Sequence, residues 1–105
     1  MSVVTVTAVF ASDAEARSIS QIVVEERLAA CANIGGPIHS IYHWQGAIEG
    51  ADEVAASLKT TAATAAALIA RIAELHSYQV PCVYSSPVEL VAEAYAEWVE
   101  ANVRT

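Results

Sequence analysis

The sequence predicts an α+β sandwich, one antiparallel sheet carrying helices on one face, and three observations point there. Short β-branched runs alternate with stretches of helical period. Two of those runs follow each other around the glycine-containing stretch "QGAIEG", so they pair as a hairpin and not through a helical crossover. The length of 105 residues, with no linker, solenoid-length repeat or low-complexity tail, describes a single domain over 1–105.

The opening run "SVVTVTAVF" is short and β-branched and reads as a strand. Ser12 follows, with Glu15 three residues on, the capping-box signature of a helix start. Ala16, Ile19, Val23 and Ala30 then recur at helical spacing while Arg17, Gln21 and Glu25 mark a polar stripe, which predicts a helix over about 13–29. In "ACANIGGPIHSIYHW" the Gly35-Gly36-Pro37 step would break a helix but suits a bulge or bend in an edge strand. Ile38 to Trp44 continues as aromatic and β-branched residues without a helical stripe. His39 and His43 would share one face of a helix and could grip one metal ion there. On a strand they lie about 13 Å apart, too far for one ion within one chain, although copies from different subunits could meet.

"QGAIEG" reads as the connection to a second strand, "DEVAASLKT", in which Val54, Ala56 and Leu58 alternate with Glu53, Ser57 and Lys59. "TAATAAALIARIAELH" is a helix with Ala65, Leu68, Ile72 and Leu75 on one stripe, ending near Ser77. "VPCVYSSP" is a short strand bounded by two prolines, which favours a sheet edge. A last helix over about 90–103 sets Ala92, Tyr95, Val99 and Val103 on one face, with Trp98 beside them.

The order β-α-β-β-α-β-α contains the split βαβ pattern of a ferredoxin-like sandwich, with one helix added at the end. Its hairpin supplies one sheet edge and the fourth strand the other, and unpaired edges invite partner strands. The composition agrees: 55% of residues are apolar and 16% charged, more than one small core hides, although much of the excess is alanine. Self-association is therefore expected.

A net charge of −7, with five scattered Lys and Arg, argues against a nucleic-acid partner and favours a solubility role for the acidity. "MSVVTVTAVF" has no basic n-region or cleavage site, and no apolar run is long enough to span a membrane. Cys31 and Cys82, 51 positions apart and outside any CxxC, make no disulfide framework, so a reduced, cytoplasmic protein is expected.

No phosphate loop, GxSxG, HExxH or zinc spacing is present, so any chemistry rests on constellations. Glu53, Lys59, His76 and Tyr78 form one candidate set. Glu53 and Lys59 share strand parity but sit about 20 Å apart along it, so they act on one atom only if another subunit brings a second copy. His76 lies at a helix C-terminus, as a cap, an interface residue or a metal ligand. The two cysteines read as small buried hydrophobes, and Trp44 and Trp98 as interface surfaces or ligand platforms.

Taken in order, "EERLAACANI", "SIYHWQG", "EVAASLKT", "HSYQVP" and "YAEW" resemble the CutA family of divalent-ion tolerance proteins, across nearly the whole chain. Cys31 and Asn33 match its "AACxN", Tyr42, Trp44 and Gly46 its "YxWxG", and Glu53, Lys59 and Thr60 the acid and "KT" of the second hairpin strand. His76, Tyr78 and Pro81 match "HPYxxP", and Tyr95 with Trp98 match "YxxW". The resemblance implies a ferredoxin-like subunit in a tight homotrimer built through long hairpins, PII-like in architecture, and a link to copper and other divalent cations. It also implies a copper-ligand set with a first-strand cysteine and a second histidine. Here Ala8 and Leu75 stand in those regions, Ser77 replaces a proline, and a glycine expected near Leu90 is missing, which leaves His76 of the set.

The expectation is a trimeric, non-enzymatic metal-tolerance protein with no obligatory cofactor, binding copper or another divalent cation weakly through His76 or carboxylates. The alternative is a PII-like regulator or scaffold that holds a small molecule or partner protein in an intersubunit cleft lined by Trp44, Glu53, Lys59, His76 and Tyr78. An acid–base enzyme using Glu53, His76 or Tyr78 has only residue type in its favour.

Overall fold

A computed structural model describes residues 2–104. The elements run β1 (Val3–Phe10), α1 (Asp13–Glu25), β2 (Cys31–Trp44), β3 (Ala47–Thr61), α2 (Ala65–Leu75), β4 (Val83–Pro87) and α3 (Glu93–Asn102). The sheet order is β2-β3-β1-β4 with every pair antiparallel. This is the expected ferredoxin-like sandwich with a C-terminal helix, and its edges are the two foreseen, one hairpin strand and the fourth strand.

Alternation decides which face is covered. Val6, Ala8 and Phe10 of β1 and Val54, Ala56 and Leu58 of β3 point one way and are buried under α1 and α2. The helices answer with Ala16, Ile19 and Val23 from α1 and Leu68 and Ile72 from α2, the stripes the spacing predicts. Val3 has the opposite parity and joins Ala96, Val99 and Val103 in a smaller cluster, so α3 covers one end of the other sheet face. Tyr95, expected on the buried stripe of α3, instead remains exposed and stacks on Trp98 at 5.8 Å.

Boundaries moved where local chemistry outweighed periodicity. Helix α1 ends at Glu25, not near 29, because Arg27 adopts a left-handed φ of 59°. The N–H of Arg27 then donates to Val24 O and that of Leu28 to Val23 O, a Schellman closure that buries Leu28. The hairpin turn is only Gln45-Gly46, both at positive φ (48° and 84°), as a two-residue type I′ connection demands. Residues 47–50, expected as connection, already belong to β3. The foreseen irregularity at Gly35-Gly36 is a register shift between Ile34 and Pro37.

Strand β1 pairs with β3 only from Val54 to Thr61. Beyond it, Ala47–Glu53 and Ile38–Trp44 continue as a bare two-stranded ribbon, about 23 Å long, which stretches the molecule to 45 × 25 × 23 Å.

A groove beneath the ribbon as candidate functional site

The ribbon has two faces. Register puts Ser40, Tyr42 and Trp44 of β2 beside Ala51, Glu49 and Ala47 of β3, with Glu53 on the same side. Ile41 and Ile48 lie on the other side, 73% and 71% exposed. The first face looks across to the connection between α2 and β4, and the two enclose a cavity of about 640 Å³.

The connection is held by a chain of bonds that starts at the capping box. Ser12 Oγ accepts from the N–H of Glu15 at 3.1 Å. The Glu15 carboxylate in turn accepts from the N–H of Ala11 at 3.1 Å and from that of Ser77 at 3.0 Å. Burial pulls the Glu15 carboxyl upward, but the bonds from Ser77 and Ala11 outweigh it, and its pKa falls below the ordinary value. A helix cap therefore also fastens the residue that follows His76.

His76 caps α2 and is buried. Its Nε2 sits 2.7 Å from the carbonyl oxygen of Val9, which can only accept, so Nε2 carries a proton. Its Nδ1 accepts from the N–H of Tyr78 at 3.0 Å. The ring stacks on Phe10 at 5.1 Å and touches the Tyr78 ring at 4.9 Å. Both nitrogens are thus engaged, and a cation could reach Nδ1 only by breaking the Tyr78 bond.

The ring of His76 aims Tyr78 at the ribbon, where its hydroxyl donates to Glu53 Oε2 at 2.7 Å. Burial first, and then the Glu53 carboxylate, push the Tyr78 phenol up to about 12. Glu53 is only 7% exposed and lines the cavity with Tyr42, Trp44, Glu49 and Tyr78. Among the described residues its basic lining group is His43, with no Lys or Arg.

Of the residues singled out by sequence, the fold brings His43, Trp44, Glu53 and Tyr78 to one cavity, with His76 behind Tyr78. Lys59 is not with them: on the sheet proper, its Nζ donates to Ser57 Oγ at 3.0 Å and to Asn33 Oδ1 at 3.5 Å. Tyr42 and Glu49 were not anticipated, though strand parity with Trp44 and Glu53 identifies them once the turn is fixed at Gln45-Gly46. The contributions of Ser77, Gln79, Val80 and Cys82 come from an irregular loop and carry no such signal.

Elsewhere, Cys31 Sγ lies 3.4 Å from Tyr95 Oη, and that contact, followed by burial, raises the Tyr95 phenol to about 12. His39 Nδ1 meets Asp52 Oδ1 across the ribbon at 2.8 Å. Among the described residues, no three His, Cys, Asp or Glu side chains gather in a metal-holding cluster. Among the described residues, no helix is long and apolar enough to cross a membrane.

Residues 3–102 match the sequence model of the CutA1 divalent ion tolerance protein family. The chain is 38% identical to the divalent-cation tolerance protein CutA of Thermus thermophilus, over 87% of this chain and 88% of the relative. It is 36% identical to the protein of that name from Archaeoglobus fulgidus, over 85% and 86%. The crystal structure of CutA from Xylella fastidiosa superposes with a TM-score of 0.94 at 31% identity, covering 97% of this chain and 98% of that one.

Proposed function

The chain belongs to the CutA1 divalent ion tolerance family, and from that membership we propose that it serves divalent-cation tolerance as a non-enzymatic cytoplasmic homotrimer. The observation that carries the reading is agreement of sequence and fold with the family over almost the whole chain. The ribbon supports the trimer. Two strands alone are marginal in water, and this pair exposes Ile41 and Ile48 on one face and open hydrogen-bonding edges. Sister subunits would cover both. Light scattering should return three times the chain mass, and a monomeric mass would overturn the assembly.

Copper or another divalent cation is the cargo in this reading. The described residues of one chain do not fit a tight metal centre, since no three-ligand cluster exists and His76 has both nitrogens engaged. Direct binding, through carboxylates or a displaced His76, is therefore weak. Calorimetry of tag-free protein with Cu(II) and Zn(II) tests this; no heat from either metal removes direct binding from the proposal.

A second reading is favoured by one observation, the cavity with its buried carboxylate: a PII-like regulator that holds a small molecule beneath the ribbon. A bound ligand raises the melting temperature by mass action, so a thermal-shift screen discriminates between the two readings. Silence across all ligand classes counts against the second.

A further inference from the structure

We propose that the groove beneath the ribbon binds an organic ammonium ion, not an anion and not a bare metal, an inference that rests on the reading of this groove as a small-molecule site. Its volume of about 640 Å³ is in the range of small-ligand pockets. Its chemistry leans one way. Tyr42, Trp44 and Tyr78 present aromatic rings and Glu49 and Glu53 carboxylates, while the basic side chain beside them is the imidazole of His43, with no described Lys or Arg. Aromatic faces attract alkylated ammonium groups through the ring quadrupole, most strongly where water is excluded. Phosphates and carboxylates would meet like charge with no donor fork to hold them.

The buried Glu53 carries the argument furthest. A carboxylate taken out of water is stable only when paired and hydrogen-bonded. Oε2 accepts from Tyr78, but among the described residues no basic side chain reaches either oxygen. The chain has few cations with which a sister copy could supply the partner. Arg17 is bound to Asp13, Arg71 to Glu26 and Glu74, Arg27 to the carbonyl of Ala101, and Lys59 to Ser57 and Asn33. Arg104 is tied by its backbone to Arg27 and Thr64, beyond the end of the sheet away from the ribbon. Within one chain Glu53 thus has no cationic partner, and an external ammonium ion supplies one.

A single metal ion fits poorly. Glu49 and Glu53 are four residues apart on one extended strand, about 13 Å, so their carboxylates cannot close on one ion. An organic cation needs no such closure: its ammonium head rests against Glu53 and Tyr78 and its alkyl part against Trp44 and Tyr42.

Three probes of one shape and different charge test the proposal on the intact protein: choline, its neutral isostere 3,3-dimethylbutanol, and the anion 3,3-dimethylbutanoate. Calorimetry gives affinities, and the indole N–H signal of Trp44, assigned with Trp44→Phe, reports the place of binding. Choline is expected to bind at least tenfold more tightly than either isostere and to shift the Trp44 signal. Glu53→Gln, which keeps shape and the Tyr78 bond, is expected to lower choline affinity about tenfold with circular dichroism unchanged. If the neutral or anionic probe shifts Trp44 as well as choline does, and Glu53→Gln changes nothing, the ammonium specificity is wrong while the small-molecule site stands. If no probe moves Trp44 at millimolar concentration, both readings fall.

Discussion

Tyr78 offers the sharpest test of the groove's construction. Its phenol is raised from the usual value of 10.0 to about 12, by burial and by the bond to Glu53. A raised acid pKa means that the folded state holds the proton more tightly than the unfolded state does. The stability this gives is therefore complete below pH 10 and is lost as the pH climbs towards about 12. Allowing for solvent screening of the half-buried phenol, a rise from 10.0 to about 12 corresponds to about 1–3 kcal/mol lost across that window. At neutral pH, Tyr78→Phe should cost about 1.5–3 kcal/mol, because it removes a hydrogen bond to a charged group and leaves Glu53 buried without its donor. Urea unfolding followed by circular dichroism, at one protein concentration and a series of pH values, measures both effects. Tyr95 is raised as well, but it is present in both proteins and cancels in the comparison. The gap between wild type and Tyr78→Phe should hold constant up to pH 10 and then narrow as the wild type weakens. If the two curves fall in parallel through that window, the phenol is not held by Glu53 and the description of the groove is wrong.

Glu15→Gln should weaken the fold by about 1 kcal/mol at neutral pH, since the carboxylate serves both the cap of α1 and Ser77. Because the folded pKa is lowered, that stability is present above the ordinary value of 4.5 and disappears as the pH falls below it, so acid titration of the urea midpoint should bring the two proteins together. Thr60→Val should cost about 1–3 kcal/mol in the same assay, because the fully buried Thr60 hydroxyl donates to Leu28 O at 2.7 Å and its loss orphans that carbonyl. Gly46→Val places a β-branched side chain at a φ of 84° and should cost about 1–2 kcal/mol, with hydrogen exchange accelerated in the ribbon before the sheet. Ile41→Lys with Ile48→Lys should lower the mass seen by light scattering while the helical circular dichroism is retained; an undiminished mass would show that this face is no interface.

The sheet and its coverings were legible because their signals are periodic. Val54, Ala56 and Leu58 alternate, Leu68 and Ile72 recur at helical spacing, and both patterns survive without knowledge of partners. The helix ends were less legible because they depend on single dihedral choices. Nothing in the identity of Arg27 announces a left-handed residue that a glycine would ordinarily occupy. The groove was half legible. Trp44, Glu53 and Tyr78 were marked by residue type, and two of them share a ribbon face whose parity is readable. Lys59 was grouped with them only as a residue of a cleft between subunits, and within one chain it stands on the sheet proper beside Asn33 and Ser57, as its distance of about 20 Å from Glu53 along the strand requires. The role of His76 as a ring bonded at both nitrogens depends on Val9 and Tyr78 arriving from different elements, and no spacing encodes that.

The strand order β2-β3-β1-β4 also sets a timetable. Strand β1 occupies an interior lane, yet both of its neighbours, β3 and β4, are synthesised after it. Until β3 is complete at Thr61 its β-branched length has no hydrogen-bonding companion, and until β4 follows it has one. A nascent chain halted before β4 would present that strand with one flank open, a template for illegitimate pairing. Quality of biosynthesis for this molecule thus hangs on β4, and pulse-labelled truncations ending before Val83 and after Pro87 should differ sharply in how much stays in the supernatant.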